Sequence, residues 1–160
     1  MQREDAKAII KYYQDINKMK QALKRECREI EDEYCGLRGI SIDGMPHGAT
    51  KSSPVENAAI LIIESGAAER IRDIETRVQV LENDRKRIQS ALDTISSKYK
   101  NVLSMRYISK YSWAKISVKI GVPDSTVRHW EAKALDRFGK AMEDTGKTDE
   151  ILARATRARE

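Results

Sequence analysis

Phenylalanine occurs once, proline three times and cysteine twice in 160 residues, and aromatic side chains make up only 6%. So few large rings argue against one thick globular core and, with 34% charged residues, for long solvated helices. Cys27 and Cys35 fit neither a disulfide framework nor a zinc-ligand spacing, so free reduced thiols are expected. No apolar run nears the roughly 18 residues that cross a bilayer. The opening stretch is charged from Arg3 onward, unlike a secretory leader. A cytoplasmic protein with no membrane contact is therefore expected. His47 and His129 are the only histidines and lie far apart, and no phosphate-cradling glycine motif occurs. These gaps argue against an enzyme and against any metal or cofactor. Asp43 and His47 are read as polar loop residues.

The positive charge is concentrated in one place. Residues 1–97 hold 16 Lys and Arg against 17 Asp and Glu, and residues 143–160 hold 4 against 5. Residues 98–142 hold 10 against 3. The whole formal charge of +5 thus comes from a 45-residue segment. Such a local surplus draws in a polyanion and supplies the phosphate contacts that dominate nucleic-acid affinity.

Apolar spacing divides the chain into three parts. Within residues 1–97, Ile9, Tyr13, Ile16, Leu23, Cys27, Ile30 and Tyr34 form one helical stripe, predicting a helix over about 3–34. Gly36, Gly39, Gly44, Pro46 and Gly48 then mark a loop over 35–52. Ser53-Pro54-Val55-Glu56 is a capping sequence that opens a second helix, expected over 54–96 and passing through Gly66. Its stripe is Ile71, Ile74, Val78, Leu81, Ile88, Leu92 and Ile95, with Arg85 in the seam, as Lys20 is in the first. These two cations are either register markers or snorkelling side chains. A stripe of about two residues per heptad has the width of a coiled-coil seam. The expected fold is all-α: a long antiparallel helical hairpin that also pairs two chains, followed by a small DNA-binding domain at 98–142.

Within 98–142 the helices shorten. One runs from Lys98 to Ile108, and a second from Trp113 to Ile120 with Ser112 as its cap. Gly121-Val122-Pro123-Asp124 makes the turn, where Gly121 provides a positive φ and Val122 plugs a small core. A third helix begins near Asp124 or Ser125 and ends near Met142. On its wheel, Val127, Trp130, Ala134 and Phe138 face inward, while Ser125, His129, Ala132 and Lys133 lie opposite, flanked by Thr126 and Arg128. Small polar residues at the start of such a helix permit close approach to base edges in a major groove. The candidate DNA-binding residues are Ser125, Thr126, Arg128, His129, Lys133, Ser112, Lys115 and Arg137. Lys133 suits a phosphate better than a base, and His129 is either a contact or a plain surface residue. Trp113 and Trp130 are read as core residues.

The segments Val102-Leu103-Ser104-Met105-Arg106-Tyr107, Ser112-Trp113-Ala114-Lys115-Ile116, Gly121-Val122 and Ser125-Thr126-Val127-Arg128 resemble region 4 of bacterial sigma factors. So does the run from Arg128 to Leu135. The resemblance covers about 45 residues and implies a promoter-type reader whose third helix touches bases. Asp124, Ser125 and Thr126 stand where the primary sigma pattern is charged, so that pattern's target sequence does not carry over. Nothing resembles the sigma region that opens promoters. The whole layout, with Gly44-Met45-Pro46-His47-Gly48, Asn57-Ala58 and a sigma-like end, is similar to the phage-encoded ArpU/RinA group of late transcriptional regulators.

The resemblance implies a homodimeric regulator of phage late genes, an activator, bound to double-stranded DNA in a bacterial host. Two alternatives are a DNA-packaging component like a small terminase subunit, and a sigma-like factor contacting RNA polymerase. Residues 143–160 are expected to be a solvated tail with at most a short helix over Asp149–Ala158.

Overall fold

Neither glycine nor proline occurs between Arg3 and Cys35, and these residues form one uninterrupted helix, α1. A computed structural model describes residues 1–35 and 66–158, which are helical throughout apart from short connections. Cys35, expected to begin the loop over 35–52, still belongs to α1, and the rest of that loop and the capping sequence at Ser53 lie outside the described residues. Gly66 stands at φ +69°, a left-handed value that a continuous α-helix does not contain. Helix α2 (Ala67–Thr94) therefore starts after Gly66 and does not pass through it as the stripe suggested. Four shorter helices follow. They are α3 (Ser97–Leu103), extended by a π turn at Ser104–Ile108, then α4 (Trp113–Ile120), α5 (Asp124–Glu143) and α6 (Thr148–Arg157). No described helix is long and apolar enough to cross a membrane.

The described residues make two compact units: Met1–Asn17 with Leu81–Glu160, and Lys18–Val80. In the second unit Ile30, Ala67 and Ile74 are buried, and Leu23, Cys27, Ile71 and Val78 pack around them only in part.

In the first unit the start of α1 is buried more widely than one stripe. Ala6, Ala8, Ile9, Ile10, Tyr12 and Ile16 are all inside, because neighbours meet α1 on several sides. Arg3 donates from Nε and Nη2 to Asp136 on α5, both at 2.7 Å. The Met1 amine pairs with Glu143, and Met1 packs against Gly139.

Position 84 departs most from expectation. Arg85 was placed in the seam, yet it is half-buried, and Asp84 beside it is only 3% exposed. Asp84 accepts from Arg154 Nε and Nη2 at 2.7 and 2.8 Å and from the Tyr12 hydroxyl at 2.9 Å. A buried carboxylate is tolerable only with such partners. Here they come from α1 and α6. The chain end is consequently no frayed tail: α6 buries Ile151 and Ala155, and its Arg154 closes the ion pair. Burial, reinforced by Asp84, raises the Tyr12 pKa, so its hydroxyl remains a donor.

Arg154→Ala is expected to cost roughly 3 kcal/mol, the low end for a broken buried pair, because the guanidinium is partly solvated. Urea denaturation would show this as a lower midpoint at unchanged slope. At the surface, the Arg3 hydrogen bond holds the Asp136 carboxyl below the usual carboxylate range. A depressed carboxyl stabilises the fold above the ordinary range, and that contribution disappears as pH falls through its lowered pKa. In Arg3→Gln the Asp136 carboxyl should titrate nearer its ordinary range, as read by carbon NMR.

Candidate nucleic-acid interface

Three short helices close around one apolar residue from each. Val102 of α3, Ile116 of α4 and Val127 of α5 are fully buried, and Met105, Tyr111, Trp113, Ile120, Val122 and Trp130 pack against them. The joint between α4 and α5 follows from its residues. Ser112 Oγ accepts from the Lys115 N–H at 3.3 Å and starts α4. Gly121, at φ +75°, ends it, and its N–H donates to the Ser117 carbonyl at 2.8 Å. Ser117 Oγ donates to the Val122 carbonyl at 2.5 Å, which holds Val122 over the core. The Pro123 carbonyl accepts the N–H groups of Thr126 and Val127, opening α5.

Two further contacts brace this unit. The Tyr107 hydroxyl donates to Glu131 of α5, and burial followed by the Glu131 bond raises its pKa well above the ordinary value. Arg106 Nη1 donates to the Tyr111 carbonyl at 3.0 Å while its guanidinium lies 4.3 Å from the Trp113 ring centre.

On α5, Val127, Ala134 and Phe138 are buried and Trp130 is half-buried. Leu135, Gly139 and Met142 widen the inner face beyond the wheel argument. Ser125, His129 and Lys133 are exposed, and their side chains make no hydrogen bond or ion pair among the described residues. Thr126 is half-buried beside them. Arg128 is exposed but already held: Nε donates to Asp124 Oδ2 at 3.1 Å, Nη2 lies within ion-pair distance of the same oxygen, and its guanidinium lies 5.5 Å from Trp113. Asp124 Oδ1 is buried with no hydrogen-bond partner among the described residues. Position in the first turn of α5, where the helix dipole is positive, favours that carboxylate.

Ser112 and Lys115 sit together at the start of α4, the lysine 4.0 Å from the Tyr111 ring. Arg137 stands apart. It is roughly 120° around the helix from Ser125, and its guanidinium lies 4.7 Å from the Tyr99 ring. Other cations escaped the sequence reading. Lys98 lies 3.4 Å from the Trp130 ring centre, and Lys119 lies 5.2 Å from Tyr111. The Asp124–Arg128 pair was legible from its four-residue spacing. The pairings of lysine and arginine with rings on other helices had no such local signal.

Among the described residues the regular structure is therefore entirely helical, with a cationic three-helix unit whose α5 presents an open polar side. The chain belongs to a family described as a protein of unknown function, DUF722, whose family model matches residues 11–140. The match takes in α1 beyond its first turns, all of α2 to α4 and most of α5, and stops short of α6. No curated protein and no solved structure matches the chain.

Because Gly121 is held left-handed with open space where a Cβ would sit, Gly121→Ala should cost about 1–2 kcal/mol from backbone strain alone. Thermal unfolding should show the loss while circular dichroism at low temperature stays unchanged.

Proposed function

We propose that the protein is a sequence-specific DNA-binding transcription regulator that lays α5 in the major groove. The observation that carries this reading is the unpaired, exposed row Ser125, His129 and Lys133 on a helix entered through the Gly121 turn. A helix whose inner side fills a core and whose outer side is small, polar and cationic is what base readout requires. The local surplus of 10 Lys and Arg over 3 Asp and Glu supports it independently.

In this reading α3 to α5 form a sigma region 4-like helix-turn-helix, and the protein is an ArpU/RinA-like activator of phage late genes. The two long helices form an antiparallel hairpin. In its favour, Tyr12 and Tyr13 of α1 meet Asp84 and Gln89 of α2, while Cys27 lies near Glu75. The partly covered seam at Leu23, Cys27, Ile71 and Val78 pairs two chains, so that each copy reads one half-site.

Selection from a random duplex pool tests the proposal. Recovery of a two-fold repeated motif with a half-site spacing near a whole helical turn is expected, and recovery of no motif at moderate salt would sink it. A solution mass of many copies would point instead to DNA packaging. Arg128→Ala should weaken binding to the recovered site by about 1–3 kcal/mol, with less effect on a scrambled duplex, if its fork leaves Asp124 for a base. Equal losses on both duplexes would make Arg128 a phosphate contact.

A further inference from the structure

A polar groove of about 660 Å³ lies within the first unit, lined among others by Lys7 and Lys11 of α1, Arg106 and Tyr107 of the π turn, Lys110 and Trp113. It lies outside the set of DNA-binding residues named above, and α1 was read as belonging to the pairing helices. Its charges are not alike. Lys7 is spent on Glu4 at 2.6 Å, and Glu131 is held by the Tyr107 hydroxyl. Asp15 also lines the groove and has an interaction of its own. Arg106 is fixed against Trp113 and the Tyr111 carbonyl but keeps its charge. Lys11 and Lys110 are exposed and make no ion pair or hydrogen bond through their side chains among the described residues. Two unspent cations thus face one groove.

Two further features concern the backbone that carries these cations. Gln14 Nε2, three residues beyond Lys11, donates to the Ile108 carbonyl at 3.3 Å and ties α1 to the segment carrying Lys110. Lys110 has φ +55°, uncommon for a residue with a Cβ. One lining residue, Trp113, also meets Arg128 in the first turns of α5. The Trp113 ring is flanked by Arg106 at 4.3 Å and by Arg128 at 5.5 Å. Arg106, Lys110 and Lys11 thus line one groove, and Arg128 shares the Trp113 ring with Arg106.

We infer that the DNA contact extends onto α1, with Lys11 and Lys110 binding successive phosphates of the strand that flanks the groove read by α5. This rests on the DNA-binding reading above. Phosphate contacts set register and orientation without reading bases, so these lysines position the duplex and leave its sequence to α5. Residues near the chain start then serve both the pairing of the long helices and DNA binding.

The test is the salt dependence of binding by the full chain, measured on the selected duplex and on a scrambled one of equal length. Removing both lysines, as Lys11→Ala with Lys110→Gly, should flatten the plot of log affinity against log salt by about 1.8, near 0.9 for each lost phosphate contact. The flattening should be equal on both duplexes, leaving their affinity ratio unchanged, and Lys11→Arg should restore its share. Lys24→Ala, an exposed lysine in the other unit, is the control for lost charge alone and should leave the slope unchanged. A wild-type slope in the double variant overturns the inference while leaving the role of α5 standing. An equal flattening in Lys24→Ala overturns it as well. Salt-independent or absent binding by the wild-type chain removes the DNA-binding reading itself.

Discussion

A carboxylate inside a helical unit is a demanding element, and Asp84 determines much of what surrounds it. Taking one charge out of water costs several kcal/mol unless geometry and hydrogen bonds repay it. Asp84 receives a two-pronged guanidinium from α6 and a hydroxyl from α1 while standing on α2. The chain's first helix, the end of its second long helix and its last helix must therefore assemble together or leave that charge unpaired. Arg3 with Asp136, the Met1 amine with Glu143 and Tyr13 with Gln89 add polar ties to the aliphatic contacts of the same unit. The joint to the cationic unit is short, since α2 ends at Thr94 and α3 begins at Ser97. Buried Ile95 and the Asp93–Lys100 pair sit at that joint.

The second constraint is electrostatic. The 98–142 segment carries 10 Lys and Arg against 3 Asp and Glu, so acids alone cannot neutralise its cations, and long side chains left free cost entropy when they are ordered. Aromatic rings meet both needs. Lys98 lies over Trp130, Arg106 over Trp113, Lys115 over Tyr111 and Arg137 over Tyr99. A ring face steers a cation without cancelling its charge, and arginine stacks on it especially well. The scarcity of aromatics across the chain makes their placement more telling, because six of the nine fall within residues 98–142. Lys100 and Arg128 also meet carboxylates, Asp93 and Asp124. The guanidinium–carboxylate pair uses one Asp124 oxygen and leaves the other without a hydrogen-bond partner among the described residues.

Periodicity and local chemistry made the helices legible. The uninterrupted helix α1, the Ser112 cap, the left-handed Gly121 and the inward row Val127, Ala134 and Phe138 each follow from interactions within a few residues. Such interactions are encoded by spacing, and they recur in the structure at the same positions. The exposed side of α5 followed from the same wheel. Less legible were the limits of burial. The first turns of α1 bury Ala6, Ala8 and Ile10 because other helices of the unit surround them, and no repeat in the chain announces a crowd of neighbours.

By itself the sequence determined the helical class, the concentration of positive charge in one segment, and the turn that delivers α5, since all three depend on residues close together in the chain. Only the tertiary structure decided that Asp84 and not Arg85 is interior, that the last helix docks and does not fray, and that Lys11 and Lys110 line one groove. Those outcomes join residues 70 to 99 positions apart, as Asp84 with Arg154 and Lys11 with Lys110. A solvation cost or a shared groove exists only once distant segments have met.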